Sequence, residues 1–582
     1  MKNVLYDTYD FATIIQGDNV YVDKTAMLHR LVAGRNGSRF FIARPRRFGK
    51  SLMISTLEYI FNAKRDLFGG LEISKTDYAW TVVPVVHLDM SLVVSDDIGG
   101  LKANIINMIR RQASLKDVSV DFSASNTFTS CFNDFLMEMA RKFKSPVAVL
   151  IDEYDAPVNR LIECGVDHLQ VSSVLHDFYL QLKANESNIR FLMMTGVSKF
   201  AKLSVFSGLN NLKDLTLEPE YAGLLGYTPD EIGHYFSEHI EAFAGAVGKS
   251  SDDIFNELLE WYDGYRFSPY SSDRVTNPVS LAASLEKRRF DSFWDETGHS
   301  TLIYKHLKNR LIVPCQLNGF IAEKSDLNYC NISDKESPAL LFQTGYLTID
   351  KDLPDGKLQF KIPNKEVSQA LTSGMLSFIF KGDKRRLLTG LDSARERLQR
   401  EPSRVETVLN ETLTAAFEAI PYDWQVKDEP EARRMFLFYC YLMGADILGE
   451  VHSSKGRADA VLQFTDSVFV FEFKYGHTAE EALAQAEKKD YGGPFANGTR
   501  KVYLIGVNYN PANRNIDPPC CKELKHDEKG LLRAEKIATE DMGASGPTGQ
   551  YVDDDESSSD SYSDNVRHDE RRGETSGSVI GG

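Results

Sequence analysis

Residues 40–61 read FFIARPRRFGKSLMISTLEYIF, and this stretch decides the fold of the amino-terminal half. A short apolar run leads into the basic turn RPRRFGKS, and a helical pattern begins directly after it. A strand, a tight turn with available N–H groups, a lysine and a hydroxyl that opens a helix are the parts of a phosphate-binding loop. The stretch therefore predicts a strand–loop–helix unit that grips nucleotide phosphates.

Each part of this turn has an expected role. Gly49 provides the turn, Lys50 is expected to hold the outer phosphates, and Ser51 is expected to coordinate Mg²⁺. The usual pattern, GxxxxGK[ST], has a glycine six residues before the lysine, where this chain has Arg44. This is a departure, because a tight turn is usually built with glycine. Arg44, Arg46 and Arg47 are expected to form a positive patch beside the phosphates; the alternative is charge balance against Asp152, Glu153 and Asp155.

Three further apolar runs follow at intervals filled by amphipathic stretches. They are VVPVVHLDM (82–90), PVAVLIDEYD (146–155) and RFLMMTGVS (190–198). Continuous apolar runs indicate parallel strands that are covered on both faces. The second run ends in Asp152 and Glu153, which we expect to hold Mg²⁺ and to orient the attacking water, unless they only cap the strand. Thr195 ends the third run, where it could sense the γ-phosphate or act as a turn hydroxyl. ATP and Mg²⁺ are thus the expected cofactors.

A second group of charged residues lies in GRADAVLQFTDSVFVFEFKYG (456–476). Alternation along 468–474 places Glu472 and Lys474 on one face of a strand and three phenylalanines on the other. A turn at 465–467 would fold this strand back on residues 458–464 and bring Asp459 beside Glu472. Asp with Glu-x-Lys is the PD-(D/E)XK nuclease arrangement, in which two carboxylates hold Mg²⁺ and the lysine positions or deprotonates water. The alternative is an edge hairpin with a surface salt bridge.

Several separated motifs resemble one protein family. Beside RPRRFGKS they are YVDKT, LIDEYDAP, TGVSKF, SGLNNLKDLT, WYDGYRF, LFQTGYLTI and IPNKEV. Together they are similar to the AAA-ATPase-like family, whose members typically carry a nuclease-superfamily domain at the carboxyl terminus. The resemblance covers about residues 21–507. In that family the first glycine of the loop is commonly arginine, which makes Arg44 a family trait.

Further residues are expected at the second site, two of them from this resemblance. Gln485 and Tyr491 match the QxxxxxY element of the family and resemble the motif with which RecB-type nucleases touch the nucleic acid backbone. Glu450 follows an apolar stretch and is expected to be an additional metal ligand, with a solvated strand end as the alternative. Arg457 follows a tight turn and is expected to reach a phosphate, although a surface arginine is the plainer account.

The pattern predicts an α/β protein in five segments. They are an AAA-like P-loop ATPase domain with a parallel sheet (1–218), a mostly helical middle domain (219–364), a helical connector (365–421), a restriction-endonuclease-like α/β domain of the PD-(D/E)XK type (422–535) and a disordered acidic tail (536–582). The tail is expected to be disordered because residues 551–582 carry nine acidic and three basic side chains and few apolar ones.

Composition limits the function classes. The 582 residues carry a net charge of −16, so nucleic acid is expected only at a local cleft. Seven cysteines without a repeated CxxC indicate reduced thiols. The absence of an apolar run of about 18 residues argues against a membrane span, and no secretory signal is evident, so we expect a cytoplasmic protein, or a nuclear one if the source has a nucleus.

These features favour an ATP-binding or ATP-hydrolysing protein coupled to a Mg²⁺-dependent nuclease whose substrate is nucleic acid. DNA is preferred over RNA from the resemblance alone. The alternative is a nucleotide-dependent switch or scaffold whose nuclease-like domain only binds nucleic acid or a partner. A homo-oligomer is compatible with either function.

Overall fold

A computed structural model describes residues 1–536 of the chain with internal gaps. The gaps are 35–37, 124–126, 200–210, 295–313, 328–337, 380–383, 421–425, 444–445, 448–451, 454–455, 497–498 and 527–531. Residues 537–582, which include nearly all of the predicted acidic tail, lie outside the described residues.

The four apolar runs of the amino-terminal half form parallel strands of one sheet, as predicted. Within the described residues this sheet has five strands in the order β2-β3-β4-β1-β5. The strands are β1 (Arg39–Ala43), β2 (Val85–Asp89), β3 (Val147–Asp152), β4 (Ile189–Gly196) and β5 (Lys213–Asp214). Strand β3 is buried along its whole length, which explains why its sequence is continuously apolar.

Helices precede β1 and separate the strands β1 to β4 along the chain. They are α1 (Phe11–Gln16), α2 (Thr25–Val32), α3 (Lys50–Phe61), α4 (Ile98–Leu115), α5 (Phe128–Phe143), α6 (Ala156–Glu163) and α7 (His168–Ala184). Strand β4, which comes last of the four in the sequence, lies between β1 and β3. The order therefore places the end of β4 between the phosphate loop and the acidic end of β3.

The middle region is mainly helical, as predicted, and also contains a small sheet that the pattern did not predict. Its helices are α8 (Pro229–Tyr235), α9 (Ser237–Val247), α10 (Ser251–Tyr262), α11 (Pro278–Lys287) and α12 (Pro338–Gln343). Strands β6 (Phe320–Glu323), β7 (Thr348–Asp352) and β8 (Lys357–Lys361) form an antiparallel sheet in the order β6-β8-β7. A capping box of Thr228 and Glu231 begins α8.

Three helices then connect this region to the carboxyl-terminal sheet. They are α13 (Lys365–Ile379), α14 (Lys384–Arg400) and α15 (Val405–Glu418), and they are followed by α16 (Glu429–Leu442), whose apolar side chains pack on the sheet. Two aromatic contacts fix that packing, because the Phe436 ring lies 5.4 Å from the Phe471 ring and 5.5 Å from the Phe473 ring, centroid to centroid.

The carboxyl-terminal sheet is mixed. Its strands are β9 (Asp446–Ile447), β12 (Ala460–Gln463), β13 (Ser467–Tyr475), β14 (Lys501–Asn510), β15 (Asn515–Ile516), β16 (Cys520–His526) and β17 (Leu532–Lys536), in the order β17-β16-β14-β13-β12-β9, with β15 on β14. Strands β10 (His452–Ser453) and β11 (Gly456–Arg457) form a separate pair. Helix α17 (Ala479–Lys488) connects β13 to its parallel neighbour β14.

Among the described helices, none combines the length and the apolar character that a membrane span requires.

Candidate active sites

The phosphate loop joins the carboxyl end of β1 to the amino end of α3. Two of its residues have left-handed backbone conformations, Arg47 with φ 69° and Gly49 with φ 89°. Gly49 is also the N-cap of α3. The start of the loop is attached to β4, because the Arg44 N–H donates to the Gly196 carbonyl at 3.1 Å. The helix thus begins directly at the loop, as an anion site at a helix N-terminus requires.

Lys50 is buried in the loop. Its ammonium donates to the carbonyls of Arg44 at 3.0 Å and Pro45 at 2.9 Å. Burial lowers the pKa of this lysine, and the nearby carboxylates of Glu153 and Asp152 oppose that shift. The ammonium is therefore held inside the turn by neutral carbonyl groups, which phosphate oxygens can replace as stronger, charged acceptors.

The carboxyl ends of β3 and β4 meet beside the loop. The Thr195 hydroxyl donates to Oδ1 of Asp152. The same hydroxyl oxygen accepts from the Glu153 N–H at 3.3 Å. The three residues that the sequence singled out at these strand ends are thus one hydrogen-bonded group, with Thr195 between the loop and Asp152.

Glu153 has a left-handed conformation, with φ 49°. Burial raises its pKa, and Lys50 is the first opposing charge. A left-handed non-glycine residue at a strand end is costly and is typical of functional sites. Asp155, which the sequence analysis considered only as a charge partner of the loop arginines, is buried and accepts from the N–H groups of Val197 and Ser198. It therefore fixes the segment after β4.

The Arg44 side chain does not point to the phosphates, although we expected it to contribute positive charge there. Its guanidinium is buried and donates to the carbonyls of Ala43 at 2.9 Å and Thr216 at 2.8 Å. It also lies over the Phe267 ring, 4.3 Å from the centroid. Burial lowers its pKa to about 9. Arg44 therefore supports the loop from behind.

The neighbouring arginines lie on the other side of the loop. Arg46 interacts electrostatically with both Lys50 and Glu153. Its positive charge therefore acts where the patch was expected. Arg47 lines a cavity beside the loop. The sequence therefore predicted a basic loop correctly but did not separate the supporting arginine from those that face the site.

This cavity has a volume of about 90 Å³ and is mostly apolar. Its lining includes Tyr21, Lys24, Leu52, Thr56 and Tyr227. The Lys24 ammonium is held at its edge by Glu231 at 2.6 Å and by the Gly223 carbonyl at 2.8 Å. The YVDKT motif therefore fixes the amino-terminal segment against the middle region and forms one wall of the cavity.

The second site is built on the predicted hairpin. Strands β12 and β13 are antiparallel, and Ala460 pairs with Phe471 and Gln463 with Val468. Both faces of β13 are packed: its phenylalanines join the large core, and Val468 and Val470 join a smaller cluster under α17. Glu472 and Lys474 follow on the same face as these valines, as the alternation predicted.

Asp459 lies just before β12, next to β13. Its N–H donates to the Phe471 carbonyl at 3.0 Å, and its Oδ2 accepts from the Phe473 N–H at 2.7 Å. Burial raises the pKa of Asp459, and Arg433 is the main opposing charge. Asp459 is thus held by main-chain contacts on either side of Glu472, and its carboxylate makes the contact with Phe473.

Glu472 is 3% exposed. Its Oε1 accepts from the Lys474 ammonium at 3.2 Å and from the Gln485 amide. Burial, and next the Asp459 carboxylate, raise the pKa of Glu472 to about 7. The structure therefore brings together Asp459, Glu472, Lys474 and Gln485, which the sequence had placed in one site.

The remaining predicted residues of this site have different positions. Tyr491 is buried in the small apolar cluster under α17, so its ring belongs to the core. Glu450 lies outside the described residues, as does the side chain of Arg457, whose main chain is in β11. Tyr491 thus packs in the segment that follows α17, and its predicted contact with nucleic acid stays a prediction.

Arg433 is a residue of this site that the sequence analysis missed. It lies on α16, and its Nη2 forms an ion pair with Oδ1 of Asp459. No local motif marks it, since Arg433 lies 26 positions before Asp459 in the chain. Only the packing of α16 on the sheet brings the guanidinium to the carboxylate.

The donor atoms of the second site fit a hard divalent cation. The negative charge of Asp459 disfavours the charged form of Glu472, and a bound cation would relieve this repulsion. Carboxylate oxygens are also the ligands that Mg²⁺ prefers. Among the described residues no group of three metal-ligating side chains is found. A metal bound by Asp459 and Glu472 would therefore complete its shell with main-chain oxygens and water, as Mg²⁺ commonly does.

The fold and the two sites define a phosphate-loop α/β protein joined to a nuclease-like sheet. Comparison with known proteins agrees: residues 6–206 match the family described as predicted AAA-ATPase, and residues 427–518 match the PD-(D/E)XK nuclease superfamily. The chain thus joins an AAA-ATPase-like region to a nuclease-superfamily region, as the resemblance predicted. A curated relative from Azotobacter chroococcum mcd 1, described as "Uncharacterized protein in vnfD 5'region", is 29% identical over 527 residues, which cover 87% of this chain and 96% of that protein.

Proposed function

We propose that this protein is a Mg²⁺-dependent nuclease whose activity is controlled by ATP. The observation that carries the proposal is the convergence of Asp459, Glu472, Lys474 and Gln485 on one face of the carboxyl-terminal sheet. The reaction is phosphodiester hydrolysis, and the preference for DNA over RNA rests on the family resemblance.

The phosphate loop provides the residues for ATP and its Mg²⁺. The Lys50 ammonium and the N–H groups at the start of α3 would hold the outer phosphates, and the Ser51 hydroxyl and Asp152 would hold the ion. Magnesium bound there supplies positive charge against the triphosphate. Glu153 would orient the attacking water, and burial, which raises its pKa, makes it a stronger base than an exposed glutamate. Thr195 connects Asp152 to the end of β4.

The cavity next to the loop would contact part of the nucleoside, since its volume of about 90 Å³ is too small to enclose all of it. Its tyrosine rings and apolar side chains offer stacking surface, and its edge opens at Arg47 and Gly49, where the phosphates would begin. The walls come from both the amino-terminal segment and the middle region. A nucleotide bound here would therefore contact two parts of the chain at once.

In the nuclease site, Asp459 and Glu472 would hold one Mg²⁺ ion. The ion supplies charge to the scissile phosphate and an acidified water, the chemistry by which metals promote hydrolysis. The Lys474 ammonium, which donates to Glu472, is positioned to hold a water oxygen at the edge of the site. The Gln485 amide fixes the Glu472 rotamer by donating to the same oxygen.

Control by nucleotide is supported by a run of contacts that starts at the phosphate loop. The Phe48 ring packs edge-on against Tyr265, with centroids 4.9 Å apart. The adjoining Gly264 has φ 106° and touches the Pro363 carbonyl so closely that a Cβ would lie 2.3 Å from its oxygen. The WYDGYRF and IPNKEV motifs therefore meet directly behind the loop.

The same run continues to the helix of the nuclease site. Asn364 donates to the Asp263 carbonyl at 2.9 Å and accepts from the Val367 N–H at 3.0 Å in the first turn of α13. One turn later the Ser368 hydroxyl lies 2.5 Å from the Tyr441 hydroxyl of α16. Helix α16 also carries Arg433, so the loop and the nuclease site are joined through packed elements.

The direct test is Mg²⁺-dependent cleavage of linear DNA by the full-length Glu472→Gln variant, with ATP present and absent. We expect cleavage to fall by about 100-fold or more, since the change removes a charged metal ligand. The matched control is Asp466→Asn, in the exposed turn of the same hairpin. Undiminished cleavage by Glu472→Gln would refute the nuclease assignment.

A wild-type protein that binds DNA but does not cleave it would favour the switch or scaffold function instead. Lys50→Ala separates the two sites, because it should abolish ATP binding and leave metal binding at the nuclease site intact. ATP binding that survives this change would refute the proposed phosphate grip.

A further inference from the structure

Arg433 lies where a positive charge would oppose a metal ion. Its guanidinium is bonded to Oδ1 of Asp459, and the other oxygen of that carboxylate accepts from the Phe473 N–H. Each Asp459 oxygen therefore already has one partner. The Asp459 side chain is 12% exposed and that of Arg433 is 34% exposed, so the pair is only partly screened by water.

A metal at Oδ1 of Asp459 would lie beside the Arg433 guanidinium, whose positive charge opposes it. Oδ2 is tied to the main chain of β13, which cannot move without disturbing the sheet, whereas Arg433 is a long side chain with partial access to solvent. The guanidinium is therefore the partner that can leave. Its Nε is buried without a hydrogen-bond partner, so this position satisfies the side chain incompletely.

We propose that Arg433 is the internal counter-ion of the nuclease metal site: a divalent cation displaces it from Asp459, and the released guanidinium then binds the phosphate of the nucleic acid chain. The inference rests on the proposed function, because it takes Asp459 to be a metal ligand. Guanidinium groups bind phosphate through a planar fork of N–H donors and stay charged at all relevant pH values. Arg433 is thus a positioning residue in the metal-free protein and a substrate contact after the exchange.

The exchange can be measured without catalysis. Mn²⁺ binding to full-length protein, without nucleotide or DNA, is followed by the electron paramagnetic resonance signal of the unbound ion. Arg433→Gln should tighten Mn²⁺ binding at this site on the order of tenfold, because the competitor has been removed. The matched control is Arg434→Gln, which removes the same charge from the next position of α16 and should change the affinity by less than about twofold.

The two variants separate a specific exchange from a general effect of charge. Equal gains in Mn²⁺ affinity in Arg433→Gln and Arg434→Gln would overturn the proposal, since the loss of any positive charge would then explain the change. Weaker Mn²⁺ binding in Arg433→Gln would also overturn it, because Arg433 would then be supporting Asp459. Thermal unfolding confirms that each variant is folded, and Arg433→Lys, which keeps the charge but not the fork, should show an affinity close to that of the wild type.

A second measurement tests the phosphate contact. In a Lys474→Met background, where the lysine of the site is absent, Mn²⁺ should strengthen binding of a short labelled DNA by about tenfold, and Arg433→Gln should lose most of this gain. If Mn²⁺ still strengthens DNA binding by the same factor in Arg433→Gln, the proposed contact between Arg433 and phosphate is wrong.

Failure of the proposed function has a different signature. If Asp459→Asn leaves Mn²⁺ binding unchanged, then Asp459 is not a metal ligand and the proposed nuclease site fails. If Asp459→Asn abolishes binding and Arg433→Gln has no effect, only the counter-ion role fails.

Discussion

The Glu472 carboxylate and the Lys474 ammonium lie 3.2 Å apart on one face of β13, and burial raises the pKa of Glu472 to about 7. A metal ligand must be deprotonated, so metal binding must release this proton at lower pH. We expect the affinity of the nuclease site for Mn²⁺ to rise about tenfold per pH unit below pH 7 and to level off above it. Titrations between about pH 5.5 and 8.5 test this, and a flat profile would contradict it.

The same pKa sets a pH dependence of stability with a defined sign. The folded protein keeps a proton on Glu472 between its ordinary pKa of 4.5 and about 7, a range where the unfolded chain has lost it. This extra proton stabilises the folded state at low pH. The free energy of unfolding of the metal-free protein should therefore fall as the pH rises through that window. Thermal unfolding is measured for the wild type and for Glu472→Gln with chelator present. The melting temperature should fall less across this pH window in the variant than in the wild type.

Arg44→Ala should lower the free energy of unfolding and have a smaller effect on the free energy of ATP binding. The change leaves the carbonyls of Ala43 and Thr216 without their donor and leaves a cavity under Phe267, which should cost about 2–4 kcal/mol. Thermal unfolding and ATP titration below the melting transition are the measurements. Arg47→Ala, beside the cavity, is the comparison and should weaken ATP binding without this loss of stability. The reverse pattern would mean that Arg44 contacts the phosphates.

Leu52→Trp should distinguish the cavity from the phosphate loop. Leu52 lines the cavity, so a larger ring should fill it and reduce ATP affinity by at least about tenfold. Inorganic tripolyphosphate should still bind, because the Lys50 environment is unchanged. Tyr59→Trp on the same helix but outside the cavity is the control. Equal loss of both ligands would show that the change disrupts the loop instead.

Tyr441→Phe should uncouple the two sites while leaving each one intact. The change removes the hydroxyl that meets Ser368 and keeps the ring. We expect unchanged affinities for ATP and for Mn²⁺ measured separately, and loss of most of the effect of ATP on DNA cleavage. Thr372→Ala removes a hydroxyl of α13 that bonds within its own helix and serves as the control. An ATP effect as large as in the wild type would exclude this route.

The sequence predicted best what depends on neighbouring residues. The apolar runs and the strand–loop–helix unit predicted the parallel sheet, because strand burial and helix starts are local properties. The hairpin was predicted because alternation along β13 and the turn at 465–467 fix its register. Asp459 could therefore be placed beside Glu472 although they are 13 positions apart.

The sequence could not predict contacts made by packing between distant elements. Arg433 reaches Asp459 only because α16 lies across the sheet, and the direction of the Arg44 side chain is set by Thr216 and Phe267. Tyr491 illustrates the reverse case, since a residue marked by a motif is buried in the small apolar cluster, and its contact with nucleic acid stays a prediction. A motif gives residue identity and spacing, but side-chain direction depends on what packs against it.

The contacts behind the phosphate loop limit how this protein can be divided for experiments. Phe48 is covered by Tyr265 and Phe267, and Gly345 of the middle region lies so close to Pro45 that a Cβ would be 2.9 Å from its ring. A fragment that ended near residue 218 would expose this aromatic surface and remove the wall behind the turn. The nucleotide site should therefore be purified together with the middle region, since the shorter piece is expected to aggregate.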